Sequence, residues 1–425
     1  MSKHTVTPSL TRIALASFVG TAIEFYDFYI YAMATALVIG QVFFPASDPA
    51  TQSLNALLTF GLAFIARPLG ALIFGHFGDR LGRKSTLAAS LLVMGSSTFL
   101  IGLLPGYDTL GVWAPVLLCL LRFGQGLGLG GEWAGAALLA TEYAPEGKRG
   151  WYGMFPQLGP SIGFLLATLT FLALSLGLSE TQFTRWGWRV PFIISAVLVL
   201  VGLYVRFKLA ETPAFTQARS EHHLHRWPLK TLLLQHARAI LLGALAMGVC
   251  YHLFYTATVF CLSYGTHALH ISRPVFLGML CVAVIGMAIA TPLSAWWADR
   301  VGRRPILIIG QLLALLLGFA LAPMIGSGQL LWIALFLFLA LFLMGVTFAP
   351  MGAFLPEQFP VAVRYSGAGL AYQLGGILGA SFAPAIAQFL VQQGGLSWVG
   401  LYMSAMAAIS ALAVWQIGPQ NTPHD

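Results

Sequence analysis

GHFGDRLGRK, residues 75–84, returns as AWWADRVGRR at residues 295–304, an offset of 220. A second pair follows each copy: EYAPEGKR at 142–149 and EQFPVAVR at 357–364, an offset of 215. Asp79 thus matches Asp299, Arg83 matches Arg303, Glu142 matches Glu357 and Arg149 matches Arg364. All four stretches are polar and separated by apolar runs. A duplicated unit of the same orientation predicts two parallel halves related by an axis along a membrane normal, with a site between them near mid-depth.

Working outward from these copies, the apolar runs number twelve. Their limits are near 12–40, 54–77, 85–105, 112–140, 151–178, 187–207, 238–266, 274–297, 305–325, 329–354, 365–392 and 396–417. Each has about the 20 residues that a helix needs to cross the hydrocarbon core. The shortest connection is the turn at Gly326–Gly328 between the ninth and tenth runs. Of the 425 residues 58% are hydrophobic and only 8% charged, against roughly 25% charged in soluble domains. The mean hydropathy of +0.81 and the 46 glycines agree with a chain lying mostly in lipid. The polar first dozen residues lack a cleavable signal pattern, so the first run is expected to remain in the protein.

Basic residues fix an orientation. Of the 22 Lys and Arg, 17 fall in the termini and loops that share a side with the repeated motifs, whereas the opposite loops hold Arg185, Arg189 and Arg273. By the positive-inside rule the motifs and both termini are cytoplasmic. The expected architecture is therefore all-α. Twelve spans form two six-helix bundles, 1–207 and 238–425, joined by a cytoplasmic loop over 208–237.

The same distribution argues against nucleic acid as a partner for the net charge of +8, because the positive charge is scattered among short loops. His222, His223 and His225 in the inter-bundle loop have no accompanying ligands, and the four cysteines lie inside apolar runs without paired spacing, so neither metal nor disulfide is expected. No nucleophile–base pair or phosphate loop suggests an enzyme, since the glycine run at 124–131 lacks the GK[ST] ending.

The pattern G-x-x-x-D-R-x-G-R-[KR] at 75–84 resembles the signature of the major facilitator superfamily, the second copy departing from it at Ala295. Within that superfamily the chain is similar to the metabolite:proton symporter family, on IEFYDF (23–28), ARPLG (66–70), HFGDRLGRK (76–84), R-x-x-Q-G-x-x-x-G-G-E-W (122–133), WGWRVPF (186–192) and RYSGAGLAYQ (364–373). The shikimate, α-ketoglutarate and related organic-acid permeases carry the nearest likeness. The resemblance implies proton symport of a small polar metabolite, usually a carboxylate, by alternating access across a bacterial inner membrane. A monomer is expected, using no cofactor and drawing its energy from the proton gradient.

The motifs read as a gate. Gly75 and Gly78 permit close helix approach. Asp79 is suited to accept hydrogen bonds at another helix's N-terminus, where the dipole favours negative charge. Arg80, Gly82, Arg83, Lys84, Glu142 and Arg149 complete the first copy; Asp299, Arg303, Glu357 and Arg364 form the second. By analogy with the superfamily, this network closes the cytoplasmic side.

Five ionisable residues sit within spans: Glu24, Asp27, Arg67, Arg122 and Glu132. Each costs about 2.5–3.5 kcal/mol at mid-membrane on insertion scales, so each is expected to face a cavity or a partner. At 1.5 Å per residue, Glu24, Arg67 and Arg122 lie roughly 15–20 Å into their helices. Glu24 and Asp27 share a face at i, i+3, continued by Tyr31, and paired carboxylates in low dielectric suit a proton carrier. An ion pair of either with Arg67 or Arg122 is the structural alternative. Glu132 either passes a proton inward or makes a gate contact.

Arg122 and Gln125 share a face, and the Arg fork suits a substrate carboxylate. Arg67, followed by the bend-prone Pro68, either binds substrate or ties helices together. Gln157, Tyr251, His252, Tyr255, Tyr372 and Gln373 are further candidate substrate contacts, the last five in the second half. A rival reading is a proton-coupled antiporter exporting a drug or metabolite. Gly159–Gly163 resembles the core of the antiporter signature G-x-x-x-G-P-x-x-G-G, but Phe155 and Phe164 occupy its flanking glycine positions.

Overall fold

The computed structural model describes residues 10–81, 83–142, 144–208, 228–360 and 364–418. Among these the regular structure is helical. Ten segments are long and apolar enough to cross a membrane: Phe18–Phe43, Pro49–Phe74, Arg149–Gly177, Gly187–Tyr204, Ala237–His267, Arg273–Val301, Arg303–Ile325, Leu330–Phe354, Ser366–Gly394 and Leu396–Ile417. The shorter apolar helices Ala88–Leu103 and Trp113–Leu129 supply the third and fourth spans. The spans are numbered 1 to 12 in chain order below. Apolar side chains such as Leu200, Leu331 and Leu412 face outward, as helices solvated by lipid require.

Span 1 packs on span 5, span 2 on span 4, and span 3 between spans 4 and 6. The second half repeats the plan, with span 7 on span 11, span 8 on span 10, and span 9 on span 12. The halves meet along spans 5 and 8 and along spans 2 and 11. Spans 1 and 7 are enclosed almost all round, whereas the others bury about half their surface. Small residues make these approaches possible: a Cβ on Gly126 would run into the Ala63 carbonyl, and one on Gly130 into the Arg67 carbonyl. Backbone contact of this kind is how membrane helices associate without a hydrophobic driving force.

Three departures from the sequence reading have local causes. The fourth span is not one helix over 112–140. It breaks into Trp113–Leu129 and Trp133–Glu142, the Gly130–Gly131 turn pressing directly on span 2. The inter-bundle segment is not loop throughout, because Pro228–Gln235 is helical and inserts the buried Leu232. Spans 1, 7 and 11 contain single π-turns at Thr35–Ile39, Thr256–Phe260 and Ile377–Ser381. Such turns frequently mark functional positions, and those of spans 1 and 7 occupy matching places in the two halves.

Candidate functional site

The glycines that let span 2 approach span 4 also bring Arg67 and Arg122 to one aromatic pad. Both guanidinium groups lie over the ring of Phe28, at 5.1 Å for Arg67 and 4.6 Å for Arg122. Arg67 also stands 5.0 Å from the Phe64 ring. Arg122 stands 4.1 Å from Tyr31 and 5.2 Å from Phe60. Both arginines are fully buried. Cation–π contacts of this kind contribute about 2 kcal/mol when desolvated, less than a buried guanidinium needs without hydrogen bonds.

The hydrogen bonds are incomplete. Arg122 donates from Nη1 to Gln125 Oε1 at 2.9 Å and from Nη2 to the Phe60 carbonyl at 3.1 Å. Gln125 is oriented in turn by donating to Thr98 Oγ1 at 2.8 Å. Arg122 Nε, Arg67 Nε and Arg67 Nη1 make no hydrogen bond, and neither arginine forms an ion pair among the described residues. Gln125 and Tyr31 thus both touch Arg122, and Tyr31 spends its hydroxyl on Thr59 at 2.7 Å.

The second half covers the pad with rings. Tyr255 lies 5.2 Å from Phe60 and 5.4 Å from Phe64. Tyr251 stacks along it at 6.3 Å and meets Phe64 at 6.2 Å. Tyr372 stands edge-on to Tyr251 at 5.4 Å and stacks on Trp133 at 3.9 Å. Tyr251, Tyr255 and Tyr372 therefore lie against the same pad as the arginines. His252 does not: one residue on, it points to span 12 and meets Tyr402 at 4.5 Å.

The acids separate from the arginines. Asp27 is fully buried and forms no ion pair with Arg67 or Arg122, contrary to the structural alternative. It points toward span 6, where the Ser195 hydroxyl lies in its range without closing a bond, so both carboxylate oxygens are unsatisfied. Glu24 is buried one helical turn from Phe28 on span 1. Glu132 is half-buried in the turn that breaks span 4.

Gln157 and Gln373 commit their amides across the interface between the halves. Gln157 Nε2 donates to the Phe348 carbonyl at 2.9 Å, and its Oε1 accepts from Trp133 Nε1 at 2.8 Å. Gln373 Nε2 donates to the Gly130 carbonyl at 2.9 Å. These bonds lie between the arginines and the motif end. On the other side Ser381 Oγ donates to the Gly61 carbonyl at 2.8 Å. Farther out, Arg273 pairs with Glu180 and covers the Phe183 ring at 3.8 Å. Contacts between the halves thus lie on both sides of the arginine pad. Beyond it, a cavity of about 110 Å³ at the opposite mouth is lined by Thr35, Gln41, Gln52, Ser53 and His267.

At the motif end Asp299 accepts from the backbone N–H groups of Gly150 at 3.0 Å and Trp151 at 2.9 Å, the first turn of span 5. Arg303 lies 3.7 Å from Asp299 and 2.8 Å from Glu357. Burial raises the Glu357 carboxyl above its ordinary range, against the pull of Arg303, Arg149 and Arg364. Arg364 donates from Nε to the Phe359 carbonyl at 3.2 Å. In the first copy Gly75, Asp79, Arg80, Arg83, Lys84 and Glu142 lie on helices whose side chains there are not described, and Gly82 lies outside the described residues.

The sequence reading missed Phe28, Phe60, Phe64, Trp133 and Ser195. Phe28 and Trp133 stood within the quoted stretches IEFYDF and the one ending in E-W. Phe60, Phe64 and Ser195 have no local signal beyond being apolar or small.

Residues 13–232 match the family described as sugar (and other) transporter, and residues 245–424 match the major facilitator superfamily. The inner membrane metabolite transport protein YhjE of Escherichia coli (strain K12) is 52% identical, over 97% of this chain and 95% of its own length. The chain belongs to the major facilitator superfamily. Another relative in this superfamily, the shikimate transporter of Escherichia coli (strain K12), is 40% identical over 94% of this chain and 93% of its own. The proline/betaine transporter of Salmonella typhimurium (strain LT2) is 36% identical, over 95% of this chain and 82% of its own. The solved D-xylose-proton symporter superposes with a TM-score of 0.76 at 20% identity, covering 97% of this chain and 98% of that one. That likeness establishes the major facilitator fold. The protein is a multi-pass transporter of the inner membrane and not an enzyme.

Proposed function

We propose that this major facilitator protein carries a small carboxylate together with protons into the cell by alternating access, with the repeated motifs on the cytoplasmic side. The observation that carries the reading is the pair of buried guanidinium groups, Arg67 and Arg122, which share one aromatic pad, make no ion pair among the described residues and retain unused donors. A buried cation left in that state favours an incoming anion, and an Arg fork matches a carboxylate. Shikimate, proline and betaine, named for two of the relatives, each bear a carboxylate.

Asp27 serves in this reading as the proton carrier, with Glu24 beside it on the first span. Both oxygens of Asp27 lack a hydrogen bond and it forms no ion pair among the described residues, and ionisable groups inside spans commonly serve as proton relays. Glu132, in the turn nearer the motif end, stands on the way out. The antiporter reading gains nothing from Gly159 and Gly163, because both lie directly against Thr21, Ala22 and Tyr26 of span 1 and are explained by packing.

Uptake of radiolabelled organic acids into proteoliposomes, with and without an imposed pH gradient, tests the proposal. Accumulation above equilibrium is expected only with acid outside. Asp27→Asn is expected to abolish that accumulation and to leave counterflow exchange in place. Undiminished uphill uptake in both Asp27→Asn and Glu24→Gln would remove the coupling role, and failure of every carboxylate to compete would remove the substrate class.

A further inference from the structure

The two amides that cross the interface are related by the internal duplication. Gln157 lies 8 residues beyond Arg149 on span 5, and Gln373 lies 9 residues beyond Arg364 on span 11. Their acceptors lie in similar places: the Phe348 carbonyl at the break within span 10 and the Gly130 carbonyl at the break in span 4. Each bond measures 2.9 Å, and each runs from one half to the other. One turn nearer the motif end the halves again approach closely through small residues. A Cβ on Gly352 would lie 2.9 Å from the Gly153 carbonyl, and one on Gly369 would lie 3.2 Å from the Ala134 Cβ. Four small residues in two pairs thus draw the halves together where the amides reach across.

We infer that Gln157 and Gln373 are a matched pair of interface bolts on the motif side of the arginine pad, positioning the halves rather than binding substrate. Each carboxamide nitrogen spends one of its two N–H groups on the opposite half. Gln157 has its oxygen committed as well, to Trp133, whereas the buried Gln373 Oε1 accepts no hydrogen bond. Because both bonds run between the halves on the same side of the arginine pad, a rocking motion that opens this end lengthens both together. The bolts therefore act on the closed-to-open equilibrium, not on the strength of the arginine site.

A neutral buried hydrogen bond contributes about 0.5–1.5 kcal/mol net. Loss of one bolt is thus expected to move the closed-to-open ratio roughly fivefold, and loss of both correspondingly more.

The test uses spin labels at Lys148→Cys and Arg300→Cys, exposed positions on opposite halves at the motif end, with Cys119, Cys250, Cys261 and Cys281 replaced by Ala or Ser. Double electron–electron resonance on the full chain in nanodiscs reads the separation. Gln157→Asn and Gln373→Asn keep the amide but fall one methylene short. The Asn pair is expected to raise the long-distance population several-fold, while the half-saturation for an organic acid found to be transported changes less than twofold. Gln157→Leu with Gln373→Leu provides the same reading without a polar group. An unchanged distance distribution overturns the inference. So does a tenfold loss of affinity at unchanged distances, which would return both residues to the substrate site. The distances report on the bolts even where no acid proves to be a substrate, so this inference and the proposed function fail separately.

Discussion

The carboxylate of Asp299, at the end of the eighth span, lies 3.0 Å from the backbone nitrogen of Gly150 at the start of the fifth. It fills the place where a helix has unsatisfied N–H groups and a positive dipole end, and it joins the two halves. A Cβ at Gly150 would collide with that carboxylate. Gly150→Ala and Asp299→Asn are therefore both expected to loosen the motif end, by about 1–3 kcal/mol for charged hydrogen bonds lost. Faster labelling of a single cysteine placed at Lys148 by a membrane-impermeant maleimide would register it. Equal rates in the variants and the parent would show that the contact does not hold this end shut.

Arg122→Lys keeps the charge and loses the planar fork, together with the bond to the Phe60 carbonyl. Half-saturation for substrate is expected to rise by about tenfold, equivalent to about 1.4 kcal/mol. Arg67→Lys is expected to behave similarly, because its Nε and Nη1 are the unused donors. An initial-rate series over substrate concentration measures both. Unaltered half-saturation in either variant would exclude that arginine from the site.

Spans 2 and 4 touch backbone to backbone at Gly126 and Ala63. Gly126→Val forces them apart and is expected to cost about 1–3 kcal/mol, as overpacking does. At Gly278, in the interior of a helix, a Cβ would meet nothing. Gly278→Ala is expected to be neutral or to stabilise by about 0.5–1 kcal/mol. Thermal unfolding in detergent compares the two, and a harmless Gly126→Val would refute the close-packing account.

Burial raises Glu357 in the closed arrangement, and access of water on opening is expected to bring it back toward the ordinary carboxylate range. A raised acid holds its proton more tightly when closed. The closed motif end is therefore favoured fully below about pH 4 and loses that advantage as pH rises through the raised value. The groups facing Glu357 are Arg303, Arg149, Arg364 and Asp299. Glu357→Gln is expected to flatten the pH dependence of spin-label distances at this end. The same slope in the variant would assign it to another group.

Much of this molecule could be read from residue types alone. Twelve spans, the duplication and the scarcity of charge follow from composition, because a lipid solvent leaves a helix few options. The break at Gly130–Glu132 and the helix at Pro228–Gln235 were not legible, since each is set by what packs against it. Among the candidate site residues, Arg67, Arg122, Gln125, Tyr31, Tyr251, Tyr255 and Tyr372, which the structure places around one pad, drew notice because polar and aromatic groups inside apolar runs demand an explanation. Asp27, His252, Gln157 and Gln373 drew notice for the same reason, yet their partners were invisible. Ser195, Tyr402, the Phe348 carbonyl and the Gly130 carbonyl lie far from them in the chain.

By itself the sequence determined that this chain spans a membrane with two copies of one unit and holds costly charges at mid-depth. Only the tertiary structure decided that the two arginines share a pad with no ion pair among the described residues, that Asp27 faces the sixth span, and that two amides tie the halves together. The division has a physical basis. Partition into lipid depends on the side chains of one segment, whereas direction, pairing and closure depend on helix rotation and on which backbone carbonyls another helix presents.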